Sequence, residues 1–75
     1  MTPARFREAL ADVSTATDAE MPGALLAAEG VSQALGLDSC AEMFRQWRED
    51  LRYFAPLVIR VSAAGMLRDH DAAGR

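Results

Sequence analysis

The sequence predicts an all-α fold, a small bundle of four short helices, from three observations. Apolar residues recur at three- and four-residue spacing through most of the 75-residue chain. A proline or a capping pattern stands at the head of each such stretch, and glycine or a short polar run separates them. With apolar residues at 51% and charged residues at 25%, the chain has the balance of a sequence that folds around one modest core. Residues 1–75 are therefore expected to form a single helical domain.

Thr2-Pro3 opens the first element, with threonine as N-cap and proline at a position where its missing N–H costs nothing. Phe6, Ala9, Leu10 and Val13 then share a face, so the spacing predicts a helix over 3–13. The second element, over 18–35, begins at the capping box Thr17-Asp18-Ala19-Glu20 or slightly later at Pro22. It runs through Leu25, Leu26, Ala28, Val31 and Leu35. Gly30 marks a kink or a close helix contact, and Gly36 ends the element.

Ser39-Cys40-Ala41-Glu42 reads as a second capping box and heads the most regular stretch of the chain. Cys40, Met43, Phe44, Trp47, Leu51 and Phe54 form one apolar stripe on a helix over 39–54, flanked by Arg45, Arg48 and Arg52. Pro56 opens a fourth helix, over 56–70, with residues beyond 70 expected to fray. Leu57, Val58, Val61 and Ala64 are assigned to the core, leaving Ile59 and Met66 on an outer face. A strand over Leu57 to Val61 is the competing local reading. The expected core is Phe6, Leu10, Val13, Leu25, Leu35, Met43, Phe44, Trp47, Leu51, Phe54 and Val61.

Composition narrows the chemistry. The single cysteine, Cys40, excludes an internal disulfide, and with His70 as the lone histidine no zinc-type ligand set or other metal site is expected. Nucleophilic catalysis needs a base within reach of the nucleophile, and the sequence offers no such pairing, so no enzyme and no catalytic residue is expected. The charged N-terminal residues lack a signal-peptide core, and no apolar run approaches the ~20 residues of a membrane span. The expected location is the cytoplasm, away from membranes.

Net charge is −3, and it is uneven: residues 1–40 hold six acids and two arginines, residues 41–75 five acids and six arginines. An acidic chain is disfavoured at a phosphate backbone, so nucleic acid is not an expected partner. The leading expectation is a non-catalytic accessory or adaptor protein that binds another protein or itself as a homodimer. Ile59 and Met66, with Arg45, Arg48 and Arg52, are the expected partner-binding residues, and no cofactor is implied.

Two resemblances supply alternatives. Leu35-Gly36-Leu37-Asp38-Ser39 resembles the attachment motif of acyl and peptidyl carrier proteins, and Val61-Ser62-Ala63-Ala64-Gly65-Met66-Leu67 is similar to the last helix of polyketide-type carriers. That resemblance implies a phosphopantetheine arm on Ser39. Six and ten residues beyond the serine, where the family carries leucine or a similar residue, this chain has Arg45 and Glu49, which keeps the adaptor reading first. The run Gly30 to Asp38 followed by a helix bearing Trp47 resembles a helix-turn-helix and implies a DNA-binding regulator.

Overall fold

A computed structural model of the chain describes residues 3–53 and 55–73. Four helices run in order: α1 over Pro3–Thr15, α2 over Met21–Ala34, α3 over Asp38–Glu49 and α4 over Pro56–Ala73. Helix α1 is the central element, packing against α4 on one side and α2 on the other, and α2 in turn packs against α3. The radius of gyration is 11.4 Å. A compact chain of this length is expected at roughly 11 Å, so no element stands off from the rest.

The entries and exits of the helices follow local chemistry. The reciprocal hydrogen bonds of the Thr17 box form, but they close the turn at 18–20 and α2 begins only at Met21, with Glu20 in the N-cap position, not at 18. The Thr17 backbone N–H donates to Glu20 Oε1 at 3.0 Å and the Glu20 N–H donates to Thr17 Oγ1 at 3.2 Å, tightening the turn that leads into α2. At the other end of α2, Gly36 has φ +74°, the left-handed conformation that a side chain disfavours. The N–H of Gly36 donates to the Gln33 carbonyl and that of Leu37 to the Ser32 carbonyl, so two otherwise orphaned carbonyls are satisfied. This is a Schellman motif, and Leu37 packs back onto the core as its usual apolar partner. Gly36 therefore stops α2, as expected.

Other boundaries differ from the sequence reading. Helix α1 continues through Ser14 and Thr15, whose hydroxyls both donate to the Ala11 carbonyl. Gly30 causes no break, because α2 runs through it and nothing lies near the space a side chain would occupy there. Helix α3 starts at Asp38 with Leu37 in the N-cap position and no side-chain cap, so Ser39 lies inside the first turn and is not the cap. It ends at Glu49, and Leu51 to Tyr53 form a turn instead of extending the helix to 54. Residues 57–61 are helical, which excludes the strand reading. Helix α4 persists to Ala73 instead of fraying after 70, held by Asp71, which accepts Arg7 Nε at 2.7 Å and Arg7 Nη2 at 3.1 Å.

The core is built on Phe6, Leu10, Val13, Met21, Leu25, Phe44 and Ile59, with Ala9, Ala16, Ala28 and Ala63 between them. Phe6 and Phe44 meet with ring centroids 6.4 Å apart, and Trp47 presents an edge contact to Phe44 at 5.8 Å. His70 makes a similar edge contact with Phe6 at 5.9 Å, so one chain of rings joins α4, α1 and α3. Leu35, Met43, Trp47 and Leu51 are half-buried against this cluster. Phe54 lies outside the described residues. Ser32 is fully buried, and its hydroxyl is satisfied by donating to the Ala28 carbonyl at 2.8 Å.

The core assignments on α4 are reversed. Val61 is 62% exposed, whereas Ile59 is 1% exposed and Ala63 is fully buried. Helix α4 is apolar nearly all round, so its periodicity does not choose a face. Anchors on its flanks do. Arg60 donates to the Ala16 carbonyl at 3.1 Å and to Asp18 at 2.7 Å, and Asp71 holds Arg7. With those contacts made, Ile59 and the small Ala63 turn inward into the core.

Candidate functional site

The partner-binding residues expected from the sequence do not form one surface. Ile59 is buried in the core and Met66 is half-buried against it, so the outer strip assigned to them is instead the inner side of α4. Of the expected arginine flank, Arg45 is paired with Glu42 on the same helix. Its guanidinium is held above its ordinary pKa first by the hydrogen bond to Glu42 and then by that residue's charge. Arg48 reaches across to α2, its Nη2 2.8 Å from Glu29 Oε1. The Glu29 side chain is only 12% exposed, and Arg48 Nε is buried without a hydrogen-bond partner among the described residues, so this pair is mainly a strut between α2 and α3. Arg52 lies with its guanidinium carbon 5.1 Å from the centroid of the exposed Tyr53 ring.

The surface that does emerge is the outward side of α4. Leu57, Val58 and Val61 are 61%, 52% and 62% exposed, and Tyr53 stands at 74% in the turn just before the helix. The sequence reading places Leu57, Val58 and Val61 in the core, so the apolar character of the strip was visible and its direction was not. The signal that accompanies the orientation is polar: α4 is turned so that Arg60 reaches Asp18 and Asp71 accepts from Arg7.

Elsewhere the surface offers less. An open groove of 460 Å³ between α1 and α2 is lined by Asp12, Thr15, Ala16, Glu20, Gly23 and Ala24. Its Glu20 carboxyl is committed to Thr17 and held below the ordinary carboxylate range, first by the Thr17 backbone N–H and then by the Thr17 side chain. Among the described residues, no group of three or more His, Cys, Asp or Glu side chains is placed to hold a metal ion, and no helix is long and apolar enough to cross a membrane. Cys40 is half-buried beside the core, and Ser39 is exposed in the first turn of α3.

Fold and surface together define a small all-helical protein with an apolar strip on its last helix. In comparisons with known proteins, the chain matches no family model, no curated protein and no solved structure.

Proposed function

We propose that this chain is a small non-catalytic accessory protein of the cytoplasm that acts by binding another protein through the outward face of α4. The observation that carries the reading is the exposure of Leu57, Val58 and Val61 on consecutive turns of one helix. Isolated apolar side chains on a surface are ordinary, but a contiguous strip is the feature that marks an association site. A small domain also gains stability when a partner covers such a strip, since its own core is limited. The test is a Leu57→Glu/Val61→Glu double variant compared with the parent chain for capture of binding proteins from cell extract. The expected result is unchanged helicity and cooperative melting with capture lost; a variant that folds and retains every partner sinks the proposal.

A second reading is favoured by one specific observation. Ser39 is exposed, lies directly after Gly36-Leu37-Asp38 and has no capping duty, so its hydroxyl is open to modification. That supports the resemblance of Leu35 to Ser39 to a carrier attachment motif. Incubation with a phosphopantetheinyl transferase and coenzyme A decides it: a mass increase located on Ser39 makes the chain a carrier, and an unmodified chain removes the reading.

A further inference from the structure

We infer that the seam between α1 and α2 is a second docking groove, and that its occupant is a basic amphipathic helix of another protein with small apolar residues on its inner stripe. This surface is separate from the outward face of α4, since no residue of α4 lines it. The 460 Å³ groove at the Glu20 end continues into a second concavity of 190 Å³ toward Val31, and the two share Asp12 and Ala24. From Arg5 to Thr15 the α1 wall rises about 15 Å, nearly three turns, a length over which one helix packs along another.

Helix α2 supplies the low side of the groove. Gly23, Ala24 and Ala27 line it there, and a side chain begun on Gly23 would meet nothing within 4 Å. Small residues let a neighbouring backbone come close, toward the short end of helix-to-helix distances. The acids stand mainly on the α1 side, where Glu8 and Asp12 are exposed and about one turn apart. Among the described residues neither enters an ion pair, the acids that do being Asp18, Glu29, Glu42 and Asp71. Glu20, which accepts the Thr17 N–H through Oε1, adds a third exposed carboxylate at the α2 entry. Arg5 is the one cation in the lining, at the Val31 end.

Charge selects the occupant. Residues 1–40, which include both walls, hold six acids and two arginines, net −4. That field draws cationic groups and repels nucleic acid and anionic lipid. The carboxylates are strung along the groove, and among the described residues no three are gathered as a metal ion requires. Acids one turn apart match Lys or Arg at the same spacing on a second helix, whose small inner residues lie against Gly23, Ala24 and Ala27. An acidic helix in the same place would set like charges against Glu8 and Asp12, a juxtaposition that interfaces use to reject partners.

Two dye-labelled synthetic helices of about four turns with the same alanine and leucine stripe, one bordered by Lys and one by Glu, test this by fluorescence anisotropy against the full chain. A third peptide keeps the Lys composition but carries prolines that break the helix. The Lys-bordered helix is expected to bind at least about tenfold tighter than either of the others, and less tightly as salt rises. Glu8→Gln/Asp12→Asn should weaken that binding at least about tenfold, and Gly23→Leu should block it by filling the groove, both with helicity and cooperative melting retained. Equal binding of the Lys-bordered helix and either other peptide overturns the proposal, as does binding that survives either groove variant. Binding lost instead in Leu57→Ser/Val61→Ser belongs to α4; it overturns the groove and leaves the α4 reading standing. No binding of any peptide overturns the groove alone, because capture through α4 is read separately from cell extract.

Discussion

Two hydroxyl residues with the same sequence signature have different work. Thr17 and Ser39 are each followed three residues later by glutamate, yet only Thr17 exchanges hydrogen bonds with its partner. Glu42 is turned instead to Arg45, and Leu37 takes the cap position of α3. Thr17→Ala should therefore cost about 1 kcal/mol of stability in urea denaturation. Ser39→Ala should stay within about 0.5 kcal/mol, as for an exposed position without special contacts. Glu20 adds a pH dependence. Its folded-state pKa lies below its unfolded value, so its contribution is present above the ordinary carboxylate range and is lost as pH falls through the depressed value. In denaturation followed from neutral to acid pH, Glu20→Gln should remove that part of the acid sensitivity, and a variant with the same acid profile as the parent would show that the box contributes nothing through charge.

At the scale of the element, the two faces of α4 make opposite predictions. Ile59→Ala should cost about 3 kcal/mol, enough to unfold a large share of so small a domain, because it opens a cavity at a fully buried position of the core. Val61→Ser should change stability little, and thermal melts of the two variants decide the rotation of the helix. This is also where the sequence was least legible. The stripe of α3 could be read because Phe44 and Trp47 stand opposite Arg45 and Glu49, so polarity chose the face. The capping box at Thr17 and the stop at Gly36 were legible because each depends on a few adjacent residues. Helix α4 has Leu57, Val58, Ile59 and Val61 within five residues, and its orientation depends on Arg60 meeting Asp18 and Asp71 meeting Arg7 across 42 and 64 positions. No local period records such contacts. The outward apolar side of α4 was consequently read on the wrong face, with Ile59 and Met66 in place of Leu57 and Val61.

The whole molecule consists of a local part and a distant part. Helices α2 and α3 are joined through the Gly36 motif and three connecting residues, whereas α1 and α4 come together from opposite ends of the chain, with Phe6 against His70 and Arg7 bonded to Asp71. Closing a long loop carries an entropic cost that a local hairpin does not, so the α2–α3 pair is expected to organise early and α4 to dock late. Gly36→Ala, which forces a side chain into the left-handed region, should destabilise by about 1 kcal/mol and act mainly by slowing folding. Ile59→Val, at a similar total cost of about 1 kcal/mol, should act mainly by speeding unfolding. Stopped-flow chevrons separate the two, and a slowed folding limb for Ile59→Val would place α4 in the folding nucleus. A late-docking α4 also opens first: its amides should exchange with solvent deuterons ahead of those of α2 and α3, through a state in which the other three helices remain associated. The helix that carries the exposed apolar strip is then the one most easily lifted from the body, and a bound partner would register as slowed exchange along α4 before any change in melting temperature.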